Sequence, residues 1–201
     1  MKKILVLSSY LLHPIFIPFF GALVYLFYTD NYLDTLPKFL LLTQICIITI
    51  LIPLSMIYFL KVIGKVDSIM VSETSQRKIP LMIQIFLMVL LLNKSVTYTT
   101  VTPLFFFYFG GVLSALMAFV FLFFNVKASI HTLGISSLTV FCAALSIHNT
   151  TNWIYGIAIL IVLNGVVTSS RLYLNAHTSK ELLLGFALGI FPQLVLLRFW
   201  L

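Results

Sequence analysis

Residues 104–124 read LFFFYFGGVLSALMAFVFLFF, twenty-one positions without a formal charge. The run is too long for a barrel strand and has no period-two alternation, and as a helix rising ~1.5 Å per residue it crosses about 30 Å of hydrocarbon. Inside a bilayer only a helix or a closed barrel satisfies every backbone N–H and C=O, and this run fits the helix. Six more apolar runs flank it: Tyr10 to Tyr28, Phe39 to Leu60, Pro80 to Leu92, Ser129 to Ile147, Trp153 to Thr168 and Leu182 to Leu197. The run beginning at Pro80 is short and interrupted by Gln84, which makes six crossings the alternative to seven. The first run follows a short basic start, Lys2-Lys3, and leads into Thr29 and Asp30 rather than a small-residue cleavage site, so it reads as a retained span. The fold class expected is all-α: a polytopic transmembrane helical bundle of about six to seven spans, forming a single integral membrane domain over residues 1–201.

Composition agrees. The chain is 61% hydrophobic and 8% charged, a balance that excludes a soluble enzyme because too few charged side chains exist to cover a water-facing exterior. Its net charge of +7 comes from basic residues in the gaps between apolar runs, as membrane topology requires and nucleic-acid binding does not. Cys46 and Cys142 both lie inside apolar runs, so neither a disulfide framework nor a thiolate metal site is expected. No repeat or low-complexity tract appears. Gly110-Gly111, Gly134, Gly185 and Gly189 read as close helix approaches, and Trp153 and Trp200 as headgroup-level anchors.

An ionisable side chain at or inside a span boundary is costly and points to function. Four groups qualify: Glu73 to Lys78 in the long connector KVIGKVDSIMVSETSQRKI (61–79), Lys127 to His131, Ser170 to Glu181, and His148 with Asn149. Two apolar runs separate the first group from the second, and two more separate the second from the third, so these three share one membrane face; His148 falls on the other. Together they hold Arg77, Lys78, Lys127 and Arg171 as cations, Ser129 as a hydroxyl, His131 and His177 as bases, and Glu73 and Glu181 as acids. Such an excess of cations suits an anion, above all a tetrahedral phosphoryl group. His177 and Glu181 stand at i and i+4, so the carboxylate can fix one imidazole nitrogen and leave the other as a nucleophile. Glu181, beside a span head, has no other evident task. Lys180 reads as a snorkelling flank residue, Glu73 as a solvated loop acid, and His13 and His148 as bundle histidines.

These residues resemble the three signatures of the type-2 phosphatidic acid phosphatase superfamily, which includes the vanadium haloperoxidases. The third signature, Ser-Arg, five residues, His, three residues, Asp, is matched by Ser170-Arg171, His177 and Glu181, with Glu for Asp. The second, Pro-Ser-Gly-His, is matched by Ala128-Ser129-Ile130-His131, which keeps Ser and His. The first, Lys, six residues, Arg-Pro, has only Arg77, with Met70 in the lysine position and Pro80 three residues on. The resemblance implies His177 as nucleophile, Glu181 orienting it, and His131 as general acid and then base. Arg77, Lys127, Ser129 and Arg171 would bind phosphate, with Ser170 from the third signature and Lys78 as a substitute cation. It implies no metal or other cofactor. The substrate would be a lipid phosphate: phosphatidic acid, phosphatidylglycerophosphate, a polyprenyl pyrophosphate or phosphorylated lipid A.

The function expected is therefore hydrolysis of a lipid phosphomonoester or pyrophosphate through a phosphohistidine, in the cell (inner) membrane; the alternative is a non-catalytic lipid-phosphate binder or transporter. Magnesium-diphosphate prenyltransferases need Asp-rich motifs that five scattered acids cannot supply, and no Gly-x-Ser-x-Gly element suggests an intramembrane serine protease. With the amino terminus inside, nine basic residues face the cytoplasm against Lys38, Lys94 and Arg198 outside, which places the site on the cytoplasmic face, whereas sites of the family commonly face outward.

Overall fold

The computed structural model describes residues 2–67, 75–149 and 152–201, with the side chains of residues 2–4 and 75 left out of account. Glu73, Thr74 and Met70 therefore lie outside the described residues. Among the described residues there are nine α-helices and no strand: α1 (Lys2–Leu11), α2 (Ile17–Tyr28), α3 (Thr35–Cys46), α4 (Ile52–Val62), α5 (Lys78–Lys94), α6 (Thr102–Phe123), α7 (Ile130–His148), α8 (Ile154–Tyr173) and α9 (Ser179–Leu197). Six stretches are long and apolar enough to cross a membrane: Leu5–Tyr28, Thr35–Val62, and helices α6, α7, α8 and α9. The chain is thus an integral membrane protein by length and composition of its helices.

Two of the six stretches are interrupted, and proline accounts for both. The first is not the continuous helix expected: His13 precedes Pro14 and takes the extended conformation that the proline ring imposes (φ −64°, ψ 138°), ending α1 before a 3-10 turn at Pro14–Phe16. In the second, α3 passes into α4 through a π-helical segment, Ile47–Leu51. Pro53 cannot bond the Thr49 carbonyl, and the wider turn relieves its ring of that carbonyl.

Helix α5, with 17 residues, is about 26 Å long. It leaves the level of Arg77, whose guanidinium donates to the Ala128 carbonyl (3.4 Å) just beyond α6, so α5 and α6 form a hairpin that departs from and returns to one end of the bundle.

Helix α7 is the centre. Some 67% of its spanning window is buried, against 17% for α8 and for the α3–α4 span, which are peripheral. Gly185 and Gly189 of α9 face it so closely that a Cβ at either would strike backbone, the Ser129 carbonyl in one case and the Leu133 carbonyl in the other. Gln193, buried, donates to the Phe107 carbonyl (3.0 Å) and the Ser137 hydroxyl (2.9 Å), tying α9 to α6 and α7. Trp200 is not a surface anchor: it is 8% exposed and packs on Phe141 and His148. Trp153 meets Tyr28 edge-on.

Candidate functional site

Two turns built the same way carry the chain back toward the bundle centre. Helix α6 ends with Asn125 in the left-handed region (φ 57°), its N–H bonded to the Leu122 carbonyl and that of Val126 to the Phe121 carbonyl. Helix α8 ends with Asn175 at φ 50°, its N–H bonded to the Leu172 carbonyl and that of Ala176 to the Arg171 carbonyl. Both are Schellman caps, and asparagine tolerates the left-handed conformation better than most residues. Two residues beyond each asparagine come Lys127 and His177, and the two turns meet: the Lys127 ammonium donates to the Ala176 carbonyl at 3.0 Å. The heads of α7 and α9 are then joined directly, by the Ser129 N–H to the Glu181 carbonyl (3.1 Å) and the Thr132 hydroxyl to the Leu182 carbonyl (3.2 Å).

At this junction His177 Nδ1 lies 2.8 Å from Glu181 Oε2. The same carboxylate accepts from the Thr178 N–H (3.2 Å), while Thr178 accepts from the Glu181 N–H (3.4 Å), so Glu181 is also half of a capping box that starts α9. The glutamate has a second task that the sequence reading did not give it. With Nδ1 donating to the carboxylate, the neutral ring keeps its lone pair on Nε2. Burial pushes the His177 pKa down to about 4, and the Arg77 charge adds to that; the Glu181 hydrogen bond opposes them and Lys127 reinforces them. The imidazole is neutral at physiological pH.

His131, in the first turn of α7, is 6% exposed, His177 7% and Arg171 4%. Together with Arg77 and His13 they line one cavity of about 200 Å³. His131 Nε2 lies 3.3 Å from the Ser9 carbonyl, and the Arg171 guanidinium donates to the Ser9 hydroxyl, so the last turn of α1 is held by two of the cavity's polar groups. Arg171 Nε is buried with no hydrogen-bond partner among the described residues.

The other proposed ligands stand elsewhere. Ser129 is fully buried as the N-cap of α7, accepting from the Thr132 N–H, and is not in the cavity wall. Ser170 gives its hydroxyl to the Leu5 carbonyl (2.5 Å) and secures α1 on α8. Lys78 lies over the Phe123 ring, 4.6 Å from its centroid. Lys127 acts beside His177 through its charge and the Ala176 carbonyl rather than as a wall residue.

His13, read from sequence as a bundle histidine, does line the cavity. Its ring meets that of His131 edge-on, with centroids 5.1 Å apart, and its Nδ1 accepts from the Ile15 N–H (3.3 Å), which leaves Nε2–H as the donor. The His-Pro pair was the available signal, because a helix broken at membrane depth exposes backbone that is tolerated only where it is buried in protein or lines a cavity. His148 sits at the opposite end of α7 from His131. Among the described residues no three His, Cys, Asp or Glu side chains gather as a metal site. Comparison of the chain with models of known families, with curated proteins and with solved structures finds no match.

Proposed function

We propose that the chain is a membrane-embedded lipid phosphatase, acting through a phosphohistidine as the resemblance to the type-2 phosphatidic acid phosphatases implies. The observation that carries this reading is one cavity walled by His131, His177, Arg77 and Arg171, with His177 Nδ1 held on Glu181. Anion binding alone needs the guanidinium groups; it does not need a neutral imidazole whose tautomer is set by a carboxylate.

In the proposed reaction the lone pair on His177 Nε2 attacks phosphorus. The P–O bond to the leaving oxygen breaks, and that oxygen takes a proton from the His131 imidazolium. A water then gives its proton to the neutral His131 and its oxygen to phosphorus; the P–N bond breaks, returning its electron pair to His177 and releasing inorganic phosphate. Arg171 and Arg77 hold the equatorial oxygens, an arrangement in which a single well-placed donor contributes about 3 kcal/mol. By charge count the site faces the cytoplasm.

The test is phosphate release from phosphatidic acid, phosphatidylglycerophosphate, a polyprenyl pyrophosphate and phosphorylated lipid A by the purified protein. Release is expected from at least one of them, falling more than a thousandfold in His177→Ala and about 10²- to 10⁴-fold in His131→Ala. Release that survives His177→Ala excludes this mechanism. Binding of the panel without release from any member establishes the non-catalytic alternative.

A further inference from the structure

The cavity does not end at its histidines. Along α6 its wall runs from Leu122, near the junction of the turns, to Phe107 and Tyr108, fifteen residues and about 22 Å away, more than the ~15 Å of one leaflet's hydrocarbon. The far residues are fixed: Phe107 stacks on Phe141 at 4.3 Å and the Tyr108 hydroxyl donates to the Pro18 carbonyl at 2.9 Å.

The wall in between is kept open by small residues in a helix otherwise rich in Phe and Leu: Gly111, Ala115 and Ala118 share one stripe. Small residues in membrane helices ordinarily let a neighbour approach, and Gly110 does this, since a Cβ there would collide with the Gln193 side chain. Gly111 does not. A Cβ there would meet only Met88 Cε, at 3.7 Å, so the missing side chain leaves room instead of a helix contact. At the ~30 Å³ that a water-sized group takes in a liquid, 200 Å³ holds on the order of seven such groups, room for one slender chain segment rather than two side by side. The head of this volume carries the buried Arg171, whose Nε has no partner among the described residues.

We propose that this apolar arm seats the single hydrocarbon chain of a phosphate-bearing amphiphile, so that the preferred substrate carries one slender chain threaded into the bundle rather than two chains left in the bilayer. The identity of the headgroup rests on the phosphatase reading; the seat for the chain rests on the wall of α6.

The test photocrosslinks the full-length protein with a dodecylphosphonate that bears a diazirine at the chain terminus and cannot be hydrolysed. Label is expected within residues 85–112, competed by dodecyl phosphate and reduced at least tenfold by Gly111→Trp, with the unfolding midpoint of that variant as the check on folding. If Gly111→Trp does not fold, Ala115→Leu, a smaller change in the same wall, decides. In turnover, the preference for dodecyl over butyl phosphate should fall by a similar factor. Label confined to outward side chains such as Phe39 and Tyr58, or undiminished in a folded variant, overturns the proposal. The two readings fail separately: release of phosphate with label outside the cavity removes the seat, whereas label inside it without release from any substrate removes the phosphatase and leaves the seat.

Discussion

At the scale of single residues, His177 governs the response to pH. Its pKa is lowered from 6.5 to about 4, chiefly by burial and next by Arg77. Between those two values the unfolded chain binds a proton at this position that the folded chain does not, so acidification through the window removes stability, and above pH 6.5 the group contributes nothing. The same shift keeps the proposed nucleophile unprotonated in mild acid. The acid limb of kcat/KM is expected near pH 4 rather than 6.5, because this parameter reports the free enzyme. Arg77→Gln removes a charge that lowers the pKa, so the limb moves upward while kcat/KM falls about a hundredfold from the lost phosphate contact. A pH–rate profile of wild type and variant checks both; a limb that stays in place while activity falls removes Arg77 from the electrostatics of the ring. A neutral ring at position 177 leaves the charge that attracts phosphate to Arg77, Arg171 and Lys127, of which Arg171 is the most buried and is expected to be the costliest loss.

At the scale of elements, the site depends on how helices end. The asparagines at positions 125 and 175 adopt positive φ, and the chain reaches Lys127 and His177 only because it reverses there. Asn175→Gly preserves the reversal and is expected to leave stability and activity within a few tenths of a kcal/mol and about twofold. Asn175→Val is β-branched where φ must be positive and is expected to cost about 1–2 kcal/mol and to displace His177 from the cavity wall, with activity lost beyond the drop in stability. Thermal unfolding and turnover of the pair measure it; equal behaviour of the two variants would show that the turn does not position the histidine. Helix ends also show what could be read in advance. The apolar runs located the helices from α2 onward to within about five residues, since burial in lipid leaves a composition signal, but the first run began at Tyr10 and missed most of α1. The Thr178-x-x-Glu181 capping box and the His13-Pro14 break went unread, although both act over a few adjacent residues and so leave a local signal. Nor were the tasks of Ser129 and Ser170 read: a hydroxyl at the start of α7 or in the last turn of α8 has the same spacing to its histidine whether it bonds backbone or a ligand, and only packing decides. Gly110 and Gly111 differ by one ~100° step around α6, yet one faces Gln193 and the other the cavity, a distinction carried by helix rotation alone.

At the scale of the whole molecule, the hydrogen bond from Arg77 to the Ala128 carbonyl bears on how many times the chain crosses. Composition left α5 ambiguous, for at 17 residues it is shorter than the six qualifying spans. Its two neighbours predict a crossing on the premise that α6 spans the bilayer. If α6 crosses, the loop that follows it lies on the far side from the loop that precedes it; Arg77 bonds to the later loop, so α5 has to make the opposite journey within its own length. Six crossings with α5 outside the bilayer would separate Arg77 from Ala128 by the membrane. Single cysteines at Asn125 and Asn175, on the turns that form the site, are therefore expected to react with an impermeant maleimide from one side, and cysteines at Thr99 and Asn152 from the other, in a background lacking Cys46 and Cys142. All four positions are exposed. Labelling of positions 99 and 125 from the same side would mean that α6 does not cross, and it would dissolve the hairpin on which the placement of Arg77 beside His177 depends. Opposite labelling, with position 125 reached only from the cytoplasm, would also confirm the sidedness proposed from charge, because the basic residues of both turns travel with the site they build.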